Sequence, residues 1–155
     1  MGPRNPRGFA NISTKQIMIV ISHRGNLSGP DPDIENKPEQ INKVLKAGYH
    51  CEVDFWIKDD KWYLGHDEPV YEIDINFLCR PKLWIHVKNL EGLEKIPRWM
   101  NFFWHQTDDF TLTSKHFIWT FPDKKTCQKS VIVDNNKDWR DKNYDCFGVC
   151  TNWVL

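Results

Sequence analysis

Two histidines, an arginine and a pair of alternating carboxylates stand at or near the ends of short apolar runs, and that combination suits metal-assisted phosphoryl chemistry. His23, Arg24 and Gly25 follow the apolar run from Ile17 to Ile21. Glu52 and Asp54 alternate with apolar side chains in Cys51-Glu52-Val53-Asp54-Phe55-Trp56. Trp62-Tyr63-Leu64-Gly65 leads into His66 and Asp67. Residues two apart in a strand share a face, so Glu52 and Asp54 are expected to point together. Their oxygens are hard ligands of the kind Mg²⁺ and Ca²⁺ take, and such an ion neutralises a phosphodiester and polarises its P–O bonds. Histidines on either side of it can supply acid and base, or one can be the nucleophile. The planar fork of Arg24 fits phosphate oxygens.

The elements that must position these groups are legible in the hydrophobic pattern. The continuous β-branched run 17–21 reads as a strand covered on both faces. Further strands are expected at 50–56, 62–66, 83–87, 102–105, 117–121, 131–133 and 147–150. A helix is expected from Pro38 to Ala47, with Ile41, Val44 and Leu45 on one face and Gly48 as its stop. A second is expected over about 90–99, limited by Pro97. Asp59-Asp60 marks a turn. In a tight hairpin, register counting sets Glu52 beside Asp67; in a crossover the strand ends still gather on one rim. The later connections, of roughly ten residues, leave little room for a helix each. The expected architecture is α/β: a compact (β/α)8 TIM-type barrel over residues 17–155 with several outer helices reduced or missing. A full barrel usually takes about 250 residues, so an open or incomplete barrel is the fallback. Residues 1–16, rich in Gly, Pro and Arg, read as a flexible arm.

Composition narrows the function classes. The 155 residues are enough for one domain with a real core, and eight Trp and nine Phe supply bulk to fill it. The 21 basic and 21 acidic residues cancel, which argues against nucleic-acid binding through a basic surface. No apolar run is long enough to span a bilayer, so no membrane span is expected. The Met-Gly start fails as a myristoylation signal, because Pro6 stands where Ser or Thr is wanted. Five cysteines without CxxC spacing, and no signal peptide, suggest a reducing, cytoplasmic setting. The sequence sets no oligomeric state.

Taken in order, His23-Arg24-Gly25, Glu35-Asn36, Glu52-Val53-Asp54 and Gly65-His66-Asp67 resemble the glycerophosphodiester phosphodiesterase family, related to the sphingomyelinase D and phospholipase C-like phosphodiesterases. The match runs through residue 67 and more loosely to Lys88. The resemblance implies a metal-dependent (β/α)8 enzyme with His23 and His66 as the acid/base pair and Glu52 and Asp54 as metal ligands. It implies Arg24 and Lys88 as phosphate contacts, with Glu35, Asn36 and Asp67 in support. The chain departs from the family at Ile34-Glu35-Asn36-Lys37, where Pro-Glu-Asn-Thr is usual. It departs again at His86, which stands where the family places a carboxylate ligand. A histidine ligand moves the preference from Mg²⁺ or Ca²⁺ towards Mn²⁺ or Zn²⁺. The family's cleft-shaping insertion after the third strand is also reduced here.

Each group has a plainer reading. His23 alone reads as a structural histidine, and alternation at 52–54 as the polar face of an edge strand. His86 divides evenly between ligand and core residue. His105 could face the pocket, though packing fits it at least as well, and His50 stands too early in its strand. Trp104, Trp119 and Trp153 could line a cage for a choline-like cation, but core filling suits them better, and the cysteines read as small apolar residues. The leading expectation is a metal-dependent phosphodiesterase acting on a small glycerophosphodiester by histidine acid/base catalysis, by direct hydrolysis or through a cyclic phosphate. The alternatives are a catalytically inactive relative that binds a phosphate ligand or serves a structural role, and a sphingomyelinase D-like phospholipase. A zinc hydrolase is weaker, since no HExxH spacing occurs.

Overall fold

The computed structural model describes residues 17–155, and the arm expected at 1–16 lies outside the described residues. Ten strands form one mixed sheet: β1 (Ile19–His23), β2 (His50–Lys58), β3 (Lys61–Leu64), β4 (Tyr71–Ile73), β5 (Leu83–Val87), β6 (Phe102–Phe103), β7 (Phe110–Leu112), β8 (Ile118–Thr120), β9 (Ser130–Val133) and β10 (Gly148–Thr151). Three short helices accompany them: α1 (Pro38–Lys46), α2 (Ile75–Leu78) and α3 (Leu90–Lys95). The main order is β4-β3-β2-β1-β10-β9-β8-β7, with β5 and then β6 branching from β2.

The long strand β2 carries three partners. Glu52 pairs with His23 of β1 on one edge and with Trp84 of β5 on the other, both parallel. Beyond Phe55, β3 replaces β1 as an antiparallel partner. The turn joining β2 to β3 has Asp59 and Asp60 at φ 52° and 59°, the left-handed pair that a two-residue hairpin requires.

This architecture corrects the expected (β/α)8 TIM-type barrel. The sheet is mixed and curled into a half-barrel, because the connections that should each hold a helix do not. The link from β2 to β5 is spent on the antiparallel β3–β4 pair and the single-turn α2. The link from β6 to β8 becomes β7, antiparallel to β8. After β9 there is only a 3-10 turn at Trp139–Lys142. Among the described residues no ladder joins β6 to β7. Instead Ser114 N–H donates to the Phe102 carbonyl and Phe102 N–H to Ser114 Oγ, at 2.8 and 2.9 Å.

Strand parity sorts the side chains. Cys51, Val53, Phe55 and Ile57 of β2, with Leu83, Ile85 and Val87 of β5, bury on the convex face against Ile41 and Val44 of α1. Pro38 opens α1, its missing N–H falling where no helical partner exists. The concave face carries Ile21, Trp84, Phe103, Trp119, Val131 and Cys150 as a second core. Each buried large side chain there contributes about 1.5–3 kcal/mol, so this layer favours the curl. Two residues further along the same faces stand His23 of β1 and His86 of β5, and Glu52 and Asp54 of β2 lie beside them. Among the described residues no helix is long and apolar enough to cross a membrane.

Candidate functional site

The parallel strands deliver their C-terminal ends to one rim, and there the aromatic layer gives way to charge. Glu52 and Asp54 are buried, at 1% and 0% exposure. Such carboxylates need partners, and each has them. Asp54 Oδ2 accepts from Asn36 Nδ2 at 2.9 Å and lies 3.3 Å from Arg24 Nε. Asn36 Oδ1 accepts the Asp54 N–H at 2.9 Å, closing a two-way clasp. Glu52 Oε2 accepts the Arg24 N–H at 3.2 Å. Arg24 and Asn36 both sit in the left-handed region, at φ 57° and 60°. That backbone lets a short loop turn its groups inward onto β2.

The second set of carboxylate oxygens faces His86. Its Nδ1 is 3.3 Å from Asp54 Oδ1 and 3.7 Å from Glu52 Oε1. Its Nε2 is 2.8 Å from the His105 carbonyl. A carbonyl only accepts, so Nε2 carries a proton, and Nδ1 is the ring atom turned towards the two carboxylates. The ring stacks on Phe103 at 5.0 Å between centroids. Lys88 Nζ is 3.6 Å from Asp54 Oδ1.

Burial would raise Asp54, but the close approach of His86 and the charges of Arg24 and Lys88 outweigh it and hold the carboxyl well below the usual range. Glu52 moves the other way, pushed up by burial and by the Asp54 charge. The two carboxyls are thus pushed in opposite directions. His23 falls to about 4 through burial and the neighbouring Arg24 charge, which leaves the ring neutral near pH 7.

His23 Nδ1 lies 3.0 Å from Asn152 Oδ1, which also accepts from Asn26 Nδ2 at 2.9 Å. That oxygen can only accept, so Nδ1 carries the proton and Nε2, 3.9 Å from Glu52 Oε2, is left with its lone pair. Asn26 Nδ2 donates in turn to Glu35 Oε1 at 2.8 Å, and Glu35 Oε2 pairs with Arg24 Nη1 at 3.3 Å.

Of the residues expected at the site, the structure gathers His23, Arg24, Glu35, Asn36, Glu52, Asp54, His86 and Lys88 into this network. His66 lines the same cavity of about 380 Å³, with Nδ1 bonded to Asp67 Oδ1 at 2.8 Å. Asp67 itself is 92% exposed and is not beside Glu52. The hairpin register would have placed it there, but the β2–β3 ladder ends at Leu64 and β1 takes over that edge.

The sequence reading did not single out Asn152, Asn26 or the His105 carbonyl. Asn152 directly follows β10, so the rule that polar groups end these strands would have found it. The His105 ring bonds the Asp108 carbonyl at 2.6 Å. Trp119 lines the cavity, whereas Trp153 packs elsewhere, with Val149 and Trp139.

The residues fit a cation. One oxygen or nitrogen from each of Glu52, Asp54 and His86 lies within 4.8 Å of the other two. Asp54 Oδ1 is buried and makes no hydrogen bond of good geometry, with His86 Nδ1 and Lys88 Nζ at 3.3 and 3.6 Å. The donor set of two carboxylates and one imidazole suits Mn²⁺ or Zn²⁺ as well as Mg²⁺. No family model, curated protein or solved structure matches the chain.

Proposed function

We propose that this rim binds a divalent cation through Glu52, Asp54 and His86 and hydrolyses a phosphodiester of the glycerophosphodiester class. The observation that carries the reading is the buried cluster of Glu52, Asp54 and His86, whose ligand atoms lie within 4.8 Å of one another beside the basic side chains of Arg24 and Lys88. When bound, the cation would neutralise a phosphoryl oxygen and act as a Lewis acid. Lys88 and Arg24 add positive charge on either side of Asp54, where a phosphate would sit. His23, neutral and held by Asn152, offers Nε2 to take the proton of the attacking hydroxyl. His66, oriented through Nδ1 by Asp67, faces the same cavity and returns a proton to the leaving alcohol. If the attacking hydroxyl belongs to the substrate, a cyclic phosphate precedes the final product.

A second reading, a phosphate-binding module without turnover, is favoured by the ion pairs of Asp54 with Arg24 and Lys88. They already neutralise the site without a metal.

Alcohol release from glycerophosphodiesters and from sphingomyelin, with Mg²⁺, Ca²⁺ or Mn²⁺ against chelator, separates these readings. Metal-dependent turnover lost in His23→Ala supports the enzyme, and the substrate that turns over distinguishes the two phosphodiesterase classes. Phosphodiester binding without turnover under any metal supports the module. Mn²⁺ affinity falling about 10–100-fold in Asp54→Asn supports the ligand assignment; an unchanged affinity removes it.

A further inference from the structure

The opposite end of the half-barrel holds a second cavity, of about 450 Å³, which the phosphoryl site does not use. It opens where β2, β5, β6, β8 and β10 begin. His50 starts β2, Asn101 precedes β6, and Phe117 and Phe147 precede β8 and β10 by one residue. Trp84 forms its inner wall, and the ring of Trp119, which lines the phosphoryl cavity, lies 6.0 Å from that of Trp84. The two cavities are therefore back to back across one aromatic layer.

Its walls are aromatic. Phe117 and Phe147 pack at 4.2 Å between centroids, Trp84 lies 5.2 Å from Phe117, and Trp99 remains 56% exposed at the rim. Its charge is of one sign: Arg80 and Lys115 line it, and no Asp or Glu does. Neither cation takes part in any ion pair among the described residues. Residues 1–16 contain Arg4, Arg7 and Lys15 and no Asp or Glu, so that stretch offers no anion either.

Its hydrogen bonding is unfinished. Arg80 gives Nε to the Phe77 carbonyl and Nη1 to Asn42, while its buried Nη2 has no acceptor. The buried Asn101 Oδ1 has no donor. His50 Nδ1 accepts the Trp84 indole N–H at 3.1 Å, so the neutral ring carries its proton on Nε2 as a further donor. Burial and the Lys82 charge both hold that ring below its ordinary pKa.

We infer that this cavity is a second ligand site, taking a planar aromatic anion. The ring would stack among Trp84, Trp99 and Phe117, a phosphate or carboxylate would meet Arg80 and Lys115, and a ring N–H or amine would meet Asn101 Oδ1. Its volume lies within the range of small-ligand pockets, and stacking together with a guanidinium fork is how planar anions are held.

The test is NMR of the full chain, following the assigned tryptophan indole N–H signals during titration with AMP, indole-3-acetate and neutral adenosine. Saturable shifts of Trp84 and Trp99 by AMP or indole-3-acetate, with adenosine about 10-fold weaker or worse, are expected. Response to AMP alone identifies a phosphate-bearing ligand, and response to indole-3-acetate alone a carboxylate. Arg80→Gln should weaken binding about 10-fold, and the exposed positions Trp99→Ala and Lys115→Gln, which leave the core intact, about 3-fold or more. His23→Ala at the other rim should leave the affinity unchanged. Shifts confined to Trp119, equal binding of adenosine and AMP, or no shift up to about 10 mM would overturn the inference.

Discussion

Asn152 shows how a single amide sets the chemistry of a histidine it does not resemble. Its Oδ1 accepts from both His23 and Asn26, so it fixes the His23 tautomer and ties β10 to the loop after β1. If His23 is the base of the proposed phosphodiesterase, Asn152→Ala should lower kcat about 10–100-fold while moving KM little, because the ring loses its orientation and the proposed phosphate contacts remain. The ring ¹⁵N shifts of His23 report the tautomer independently of turnover. A protein that keeps the Nδ1–H form in the variant would show that Asn152 does not orient the base. His86 is fixed by a different device, the carbonyl of His105 and the face of Phe103. Both restraints turn the other ring nitrogen towards the carboxylates.

At the scale of elements, the tight turn at Asp59-Asp60 and the early end of β3 decide where His66 goes. Gly65, at φ 155°, would place a Cβ 2.0 Å from the Glu68 carbonyl oxygen. Gly65→Ala should therefore cost about 2–4 kcal/mol by chemical denaturation, or else displace the His66 loop and lower turnover; a cost under about 0.5 kcal/mol with full activity would contradict this. The period-2 pattern was legible where runs were long. It placed Glu52 and Asp54 on one face and His86 at the end of β5, and it located α1 from Pro38 and Gly48. It did not carry strand direction. Tyr71-Glu72-Ile73 and Phe110-Thr111-Leu112 are three-residue strands too short to stand out, yet their antiparallel pairing turns the expected barrel into a half-barrel. Asp67 was misplaced for the same reason, since register counting cannot see where one neighbour of β2 hands over to another.

Over the whole molecule, the end of β9 is tied down by a buried acid, Asp134, between Val133 and Asn135, which line the rim cavity. Asp134, just after β9, accepts from Tyr144 at 2.8 Å and from Asn136, and pairs with Lys142 at 2.7 Å. Burial alone would raise its pKa, but the Lys142, Asn136 and Tyr144 donors outweigh that and hold it low. A carboxyl held lower in the folded than in the unfolded chain stabilises fully above the unfolded value, near 4, and loses that contribution as pH falls through the folded one. Thermal midpoints of wild type and Asp134→Asn should therefore differ most near neutrality, by the equivalent of about 1–2 kcal/mol, and converge between about pH 5 and 2. A constant gap would mean that Asp134 acts by shape alone. The layer of Trp84, Phe103 and Trp119 closes the middle of the curled sheet, so the fold is two cups sharing a floor rather than a tube. Each cup then has a single doorway: a molecule bound at one rim would have to leave by the way it came, and occupants of the two cups would not compete for space.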